Sequence, residues 1–246
     1  MTKISKSNEP STEIVATAVD LTELEGLQGQ GVESATVADY ATPYIVLAQG
    51  LTTALNPKDA SYIKGLAQGN IYNTVTAEFY DTLDIVPCFF ETAILQKEKL
   101  KIKAKFSPAD PLLKKAKLEN PLDSFEETKY WFCMHKTLRG NWEWCVLSFK
   151  GTGLKRSKIL VSQLNAVKLE GKNGVFTPPI YANIVTLDVI SESNDQGSFY
   201  NFKTSITGST TSDADLFHKA KELYEMASKG SLEVKNEVVE DVQAPF

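Results

Sequence analysis

Lysine falls at positions 97, 99, 101, 103 and 105, in the stretch QKEKLKIKAKF. The intervening positions past Glu98 are Leu100, Ile102, Ala104 and Phe106. Two residues is the side-chain period of a β-strand. Wound into a helix, the same lysines would scatter round the axis. The stretch therefore predicts a strand over residues 96–106 with one apolar face and one wholly cationic face. Such a strand requires a sheet that shelters its apolar side.

The neighbouring segments supply one. PYIVLAQGL reads as a short buried strand, and KDASYIKGLAQG as a short helix or turn. NIYNTVTAEFYDTLDIVPCFFE reads as two strands turning near Asp81, rich in β-branched and aromatic residues. SPADPLLKKAKLENPLDS is a proline-bracketed connector with a helical turn. KYWFCMHKTLRGNWEWCVLSF has the pattern of a hairpin about TLRGN. GTGLKRSKILVSQLNAVKL carries helical apolar spacing at Leu154, Leu160, Val161, Leu164 and Val167. A second hairpin crosses SNDQG. A last helix, about 212–229, has Ser212 as its cap, a stripe of Leu216, Ala220, Leu223 and Ala227, and Gly230 as its stop.

The expected fold is thus mainly β (α+β): an OB-fold-like antiparallel barrel with an inserted helix and a C-terminal helix. An unrelated α+β sheet would give the same string of elements. Residues 1–41 read as a polar, flexible arm, 42–229 as the core, and 230–246 as a disordered acidic tail.

Composition narrows the function. No apolar run approaches the roughly 18 residues of a membrane span. The N-terminus has no apolar signal core. Three cysteines make no disulfide framework. These features predict a soluble, cytoplasmic protein. The net charge of −5 conceals a basic block: residues 96–158 hold fifteen Lys and Arg against seven acids, net +8, between acidic ends. A block of that kind is the electrostatic footprint of a polyanion partner.

Within the block, Lys97, Lys99, Lys101, Lys103 and Lys105 would stand roughly 6.6 Å apart along one face, near the spacing of phosphates in an extended single strand. The other reading is a solvated edge strand protected by lysine. All three tryptophans, Trp131, Trp142 and Trp144, fall in one predicted hairpin, either as base-stacking platforms or as core. Lys155, Arg156 and Lys158 sit at the start of a helix, where the macrodipole disfavours cations and free N–H groups suit phosphate. A plain solvated helix is the alternative. Catalysis finds no motif: there is no nucleophile elbow, paired-carboxylate signature or dinucleotide glycine pattern. Cys133, His135 and Cys145 lack zinc-knuckle spacing. No enzyme activity, cofactor or metal is expected.

The chain ends in NEVVEDVQAPF, with Glu240 and Asp241 ahead of Pro245 and Phe246. This end resembles the C-terminal tip of bacterial and phage single-stranded DNA-binding proteins, an acidic linker closing on Pro-Phe or Phe. SFKGTGLKRSKILVSQL and the hairpin after it are similar to phage-encoded members. The resemblance implies sequence-independent binding and protection of single-stranded DNA in phage replication and recombination, in the host cytoplasm. It further implies that Glu240, Asp241, Pro245 and Phe246 recruit replication or recombination proteins. A homo-oligomer is compatible with this, and no membrane partner is implied. The alternative is a virion structural or assembly protein whose basic strand docks an acidic protein.

Overall fold

The computed structural model describes residues 21–27, 30–35, 39–99, 101–195 and 197–232. Met1–Tyr40 and Ala41–Phe246 separate into two compact units. The first contains a short helix, α1 (Leu21–Glu25), with Leu24, Leu27 and Val32 exposed.

The second unit is mainly β and is built on one curled, half-barrel sheet. Its strands are β1 (Tyr44–Leu47), β2 (Ile71–Asn73), β3 (Phe79–Tyr80), β4 (Leu83–Glu98), β5 (Lys101–Phe106), β6 (Ser124–Lys136), β7 (Trp142–Lys150), β10 (Asn183–Asn194) and β11 (Gly197–Ser209). A separate exposed ribbon, β8 (Leu169–Gly171) with β9 (Gly174–Phe176), intervenes. The helices are α2 (Pro111–Glu119), α3 (Gly153–Ala166) and α4 (Ala214–Ser228). The sheet order is β11-β10-β4-β6-β7-β1-β2-β3, with β5 also pairing β4. Neighbours are antiparallel except β1 and β7.

Both predicted hairpins form. β6 and β7 turn through Thr137–Asn141, where Gly140 takes φ +85° and Thr137 N donates to Asn141 O at 2.8 Å. β10 and β11 pair along their whole length, with a register shift at Ile184/Val185. A side chain ties the far strand back to the first. Just past β1, Gln49 Nε2 donates to Tyr200 O on β11 (2.8 Å) and Gln49 Oε1 accepts from Tyr200 N (2.9 Å). The carboxamide thereby takes the place of a strand partner across the curl.

Helices cover both faces of the sheet. α3 sets Leu160 and Leu164 against Trp131, Cys133, Cys145, Leu147, Phe149 and Phe202. α4 presses Leu216, Ala220 and Leu223 on Val86, Cys88 and Met134, while Ala227 meets Tyr130 and Phe132. This explains why β7 is apolar on both sides: Cys145 and Leu147 face α3, and Trp144 and Val146 face α4. The cap of α4 is Asp213, which accepts from Leu216 N, rather than Ser212. The 58–69 segment is a series of turns with no helix, and α2 is longer than one turn, with Asp110 as its cap.

The lysine stretch differs most from expectation. It is a hairpin rather than one strand. β4 runs through Lys97 to Glu98, Lys99 reverses the chain at φ +56°, and β5 begins at Lys101. A reversal that consumes two residues leaves a period-two pattern unbroken, so the sequence carries no mark of it. The register also shifts between Gln96 and Lys97, leaving Lys103 opposite no residue of β4. In consequence Lys105 shares the face of Leu95, and Lys101 shares that of Glu98. The single cationic face does not exist.

Candidate nucleic-acid interface

Opposed residues of antiparallel strands share a face, so the pairing register lays out the distal half of the sheet. On the α3 side, Phe90 lies opposite Trp131, Thr92 opposite Lys129, Ile94 opposite Glu127 and Phe106, and Gln96 opposite Phe125 and Ala104. Successive rows stand roughly 6.8 Å apart. This end of the face is partly open: Phe90 is 36% exposed, and Ile94, Phe106 and Phe125 are half-buried. Phe90 is stacked on Trp131, ring centroids 4.8 Å apart and planes 21° from parallel. One face of Phe90 is therefore occupied by Trp131, and the ring stays partly exposed.

Cations border these rings. Lys129 Nζ sits 5.9 Å from the Phe90 centroid and donates to Thr92 Oγ1 at 3.3 Å. Lys117, from α2, lies 5.6 Å over the Phe125 ring. Lys99 and Lys101 are exposed and enter no ion pair among the described residues. Lys103 Nζ bridges Glu98 (3.1 Å) and Asp123 (3.2 Å), and hydrogen bonds to both hold its ammonium above the usual range. Asp123 accepts from Gln96 Nε2 at 2.6 Å, which with Lys103 lowers its carboxyl. Glu127 approaches Lys129 at 3.5 Å. A phosphate entering the strip would compete with the exposed carboxylates of Glu98 and Glu127 at little cost, whereas Asp123, its side chain 7% exposed, holds Lys103 more firmly.

Other predicted site residues lie elsewhere. Lys97 is buried on the opposite face, paired with Glu126 at 2.6 Å. Lys105 is on that face too, 2.5 Å from Glu91 and 5.0 Å over the Tyr130 ring. Lys150 lies there opposite Thr128; burial first, and Lys97 second, pull its ammonium down to about 8. Trp131 is fully buried, its Nε1 donating to Ser157 Oγ at 2.8 Å, so it backs a platform and cannot itself be one. Trp142 and Trp144 are half-buried beneath α4. Lys155 and Lys158 are exposed on α3, whereas Arg156 is paired with Glu192, which also accepts from Asn201. Glu240, Asp241, Pro245 and Phe246 lie outside the described residues.

The rings that line the strip, Phe90, Phe106 and Phe125, were not singled out in the sequence, nor were Lys117 and Lys129. Their signal is present: Phe90, Thr92, Ile94 and Gln96 are spaced for one face of a strand. It becomes legible only once β6 is known to be the partner.

The free thiols are structural. Burial pushes Cys88 up to about 12 and holds Cys133 and Cys145 well above their ordinary value. Among the described residues no group of three or more His, Cys, Asp or Glu side chains is arranged to hold a metal ion.

A family model described as Pam3 phage gp34-like protein matches residues 10–233. The chain belongs to that family. The match takes in the whole sheet, all the strip residues and both packing helices. No curated protein and no solved structure matches the chain.

Proposed function

We propose that this member of the phage family binds single-stranded DNA without sequence preference, protecting it during replication or recombination. The observation that carries the reading is the Phe90 ring, backed by buried Trp131 and bordered by Lys129, in a strip that continues to Phe106 and Phe125. Aromatic platforms beside backbone-tracking cations are how single strands are held regardless of sequence. Lysines displace counterions from the phosphates while the rings stack bases, and no covalent chemistry is needed. An OB-like relationship is part of the reading. It rests on the curl of the sheet and on α3 lying between the β6–β7 and β10–β11 hairpins. So is recruitment of replication or recombination proteins by Glu240, Asp241, Pro245 and Phe246.

One observation favours the virion structural or assembly reading instead. None of the residues of α2 is buried, and Leu112, Leu118 and Leu122 stand exposed beside Lys114, Lys115 and Lys117, a surface suited to a protein contact. Fluorescence anisotropy of end-labelled oligo-dT titrated with the full chain, at low and moderate salt, separates the two. DNA binding predicts saturable binding in which the logarithm of affinity falls linearly with the logarithm of salt, and weaker binding to a duplex of equal length. No binding at low salt would favour the assembly reading.

A further inference from the structure

One edge of β4 has a gap. β10 pairs with Leu83–Ile85 on that side and β5 with Ile94–Glu98, while residues 89–93 between them have no strand partner there among the described residues. A cleft of about 370 Å³ opens at the gap. Phe89 and Phe90 of β4, Ile180 and Tyr181 of the 3₁₀ turn Ile180–Ala182, and Tyr224 of α4 form its walls. The Tyr181 and Tyr224 rings are 5.5 Å apart, and Phe89 meets Tyr224 edge-on at 6.3 Å.

We propose that this cleft receives one unstacked nucleobase of a single strand whose neighbouring nucleotides lie on the Phe90–Phe106–Phe125 strip; the inference rests on the DNA-binding reading. Three features point to a planar, anionic ligand. Phe90 lies nearly parallel to Trp131 and also lines the cleft, so a planar group entering there would extend an existing stack. The unpaired edge of β4 presents N–H and C=O groups in its own plane, where a base edge carries its donors and acceptors. Lys129, at the rim over Phe90, supplies the positive charge for the phosphate of the captured nucleotide. The volume is at the small end of ligand sites. An extended peptide could also use a free strand edge. Here, though, the edge is short, closed at both ends by strands, and walled by rings.

The test compares oligo-dT with a strand of equal length in which every base is replaced by an abasic site. The full chain is used, in the wild-type form and as Tyr224→Ala. Wild-type protein should bind the base-bearing strand at least tenfold more tightly. Tyr224→Ala should lose about fivefold or more of that advantage, the share of one stacked base, while its salt dependence and its affinity for the abasic strand stay unchanged. Tyr224→Leu retains the packing on Phe89 without the ring and should behave alike, which guards against a folding defect in the alanine variant. If both variants keep the wild-type ratio, the cleft is not a base site and the DNA-binding reading survives; if wild-type protein binds the two strands equally, base stacking is ruled out at the cleft and on the strip alike. If wild-type protein binds neither strand at low salt, that reading falls and this inference with it.

Discussion

In the proposed reading Phe90 carries the most weight, because its ring is 36% exposed and stacked on buried Trp131. Phe90→Ala should weaken binding to oligo-dT by about 1–3 kcal/mol, the worth of one stacked base. The lost contact with Trp131 should cost about 1 kcal/mol of stability beyond that of the ring's buried area, and titration with parallel urea melts separates the two effects. His135 makes a different demand. It is fully buried, its Nε2 lies 3.3 Å from Asn73 Nδ2, and its Nδ1 has no hydrogen-bond partner among the described residues. Burial, partly offset by Glu143 and Glu78, holds its imidazole below the ordinary value. The unfolded chain therefore takes up this proton first. Stability should be unaffected by His135 above about pH 6.5 and should fall below it, by up to about 1.4 kcal/mol per pH unit. Urea midpoints from pH 7.5 to about 5 check this, and His135→Gln should flatten the profile. Of these two residues the sequence reveals little. Phe90 belongs to an apolar run, CFF, in which nothing distinguishes the ring that will face outward. The bulge at Cys88, which sets the parity of everything after it on β4, has no marker.

Among the elements, the β4–β5 hairpin shows where pattern reading succeeds and where it stops. Alternation correctly predicts extended chain on either side of the turn in QKEKLKIKAKF, because period two is fixed by backbone geometry, but not the turn itself. It does not report a two-residue reversal or a bulge, since each changes which face a lysine joins without changing the spelling. The hairpins about TLRGN and SNDQG are legible because turn residues punctuate them. The buried stripe of α4 is legible because its period is that of a helix. The structure leaves Lys99 and Lys101 as the unpaired lysines of the five. Lys99→Gln with Lys101→Gln should flatten the salt slope of DNA binding by roughly one and a half units. Lys97→Gln should chiefly lower stability, because Glu126 is left without its partner. Binding slopes and melts of the two variants decide between these assignments. The seam at Gln49 is equally invisible in sequence: a glutamine after a strand gives no sign that a backbone 151 residues away completes it. Gln49→Glu keeps the shape but cannot donate to Tyr200 O, and should cost about 1–3 kcal/mol in urea unfolding.

At the scale of the molecule, the charge map concentrates the basic residues in 96–158, and the proposed strip draws its lysines and two of its three rings from that block. The mainly β class and both packing helices were likewise legible, because apolar periodicity reports burial directly. The placement of the tryptophans was not, since a sheet covered on both faces looks in sequence like a sheet with a platform. No described helix is long and apolar enough to cross a membrane. The central claim is that a single strand lies on the α3-side distal face of the sheet. The most direct measurement is photo-cross-linking of the full chain to oligonucleotides carrying 5-iododeoxyuridine, with the modified residues located by mass spectrometry. Adducts at Phe90, Phe106 or Phe125, suppressed by added salt, are the predicted result. Adducts confined to the α4 face, at Trp142, Trp144 or Tyr130, would contradict it.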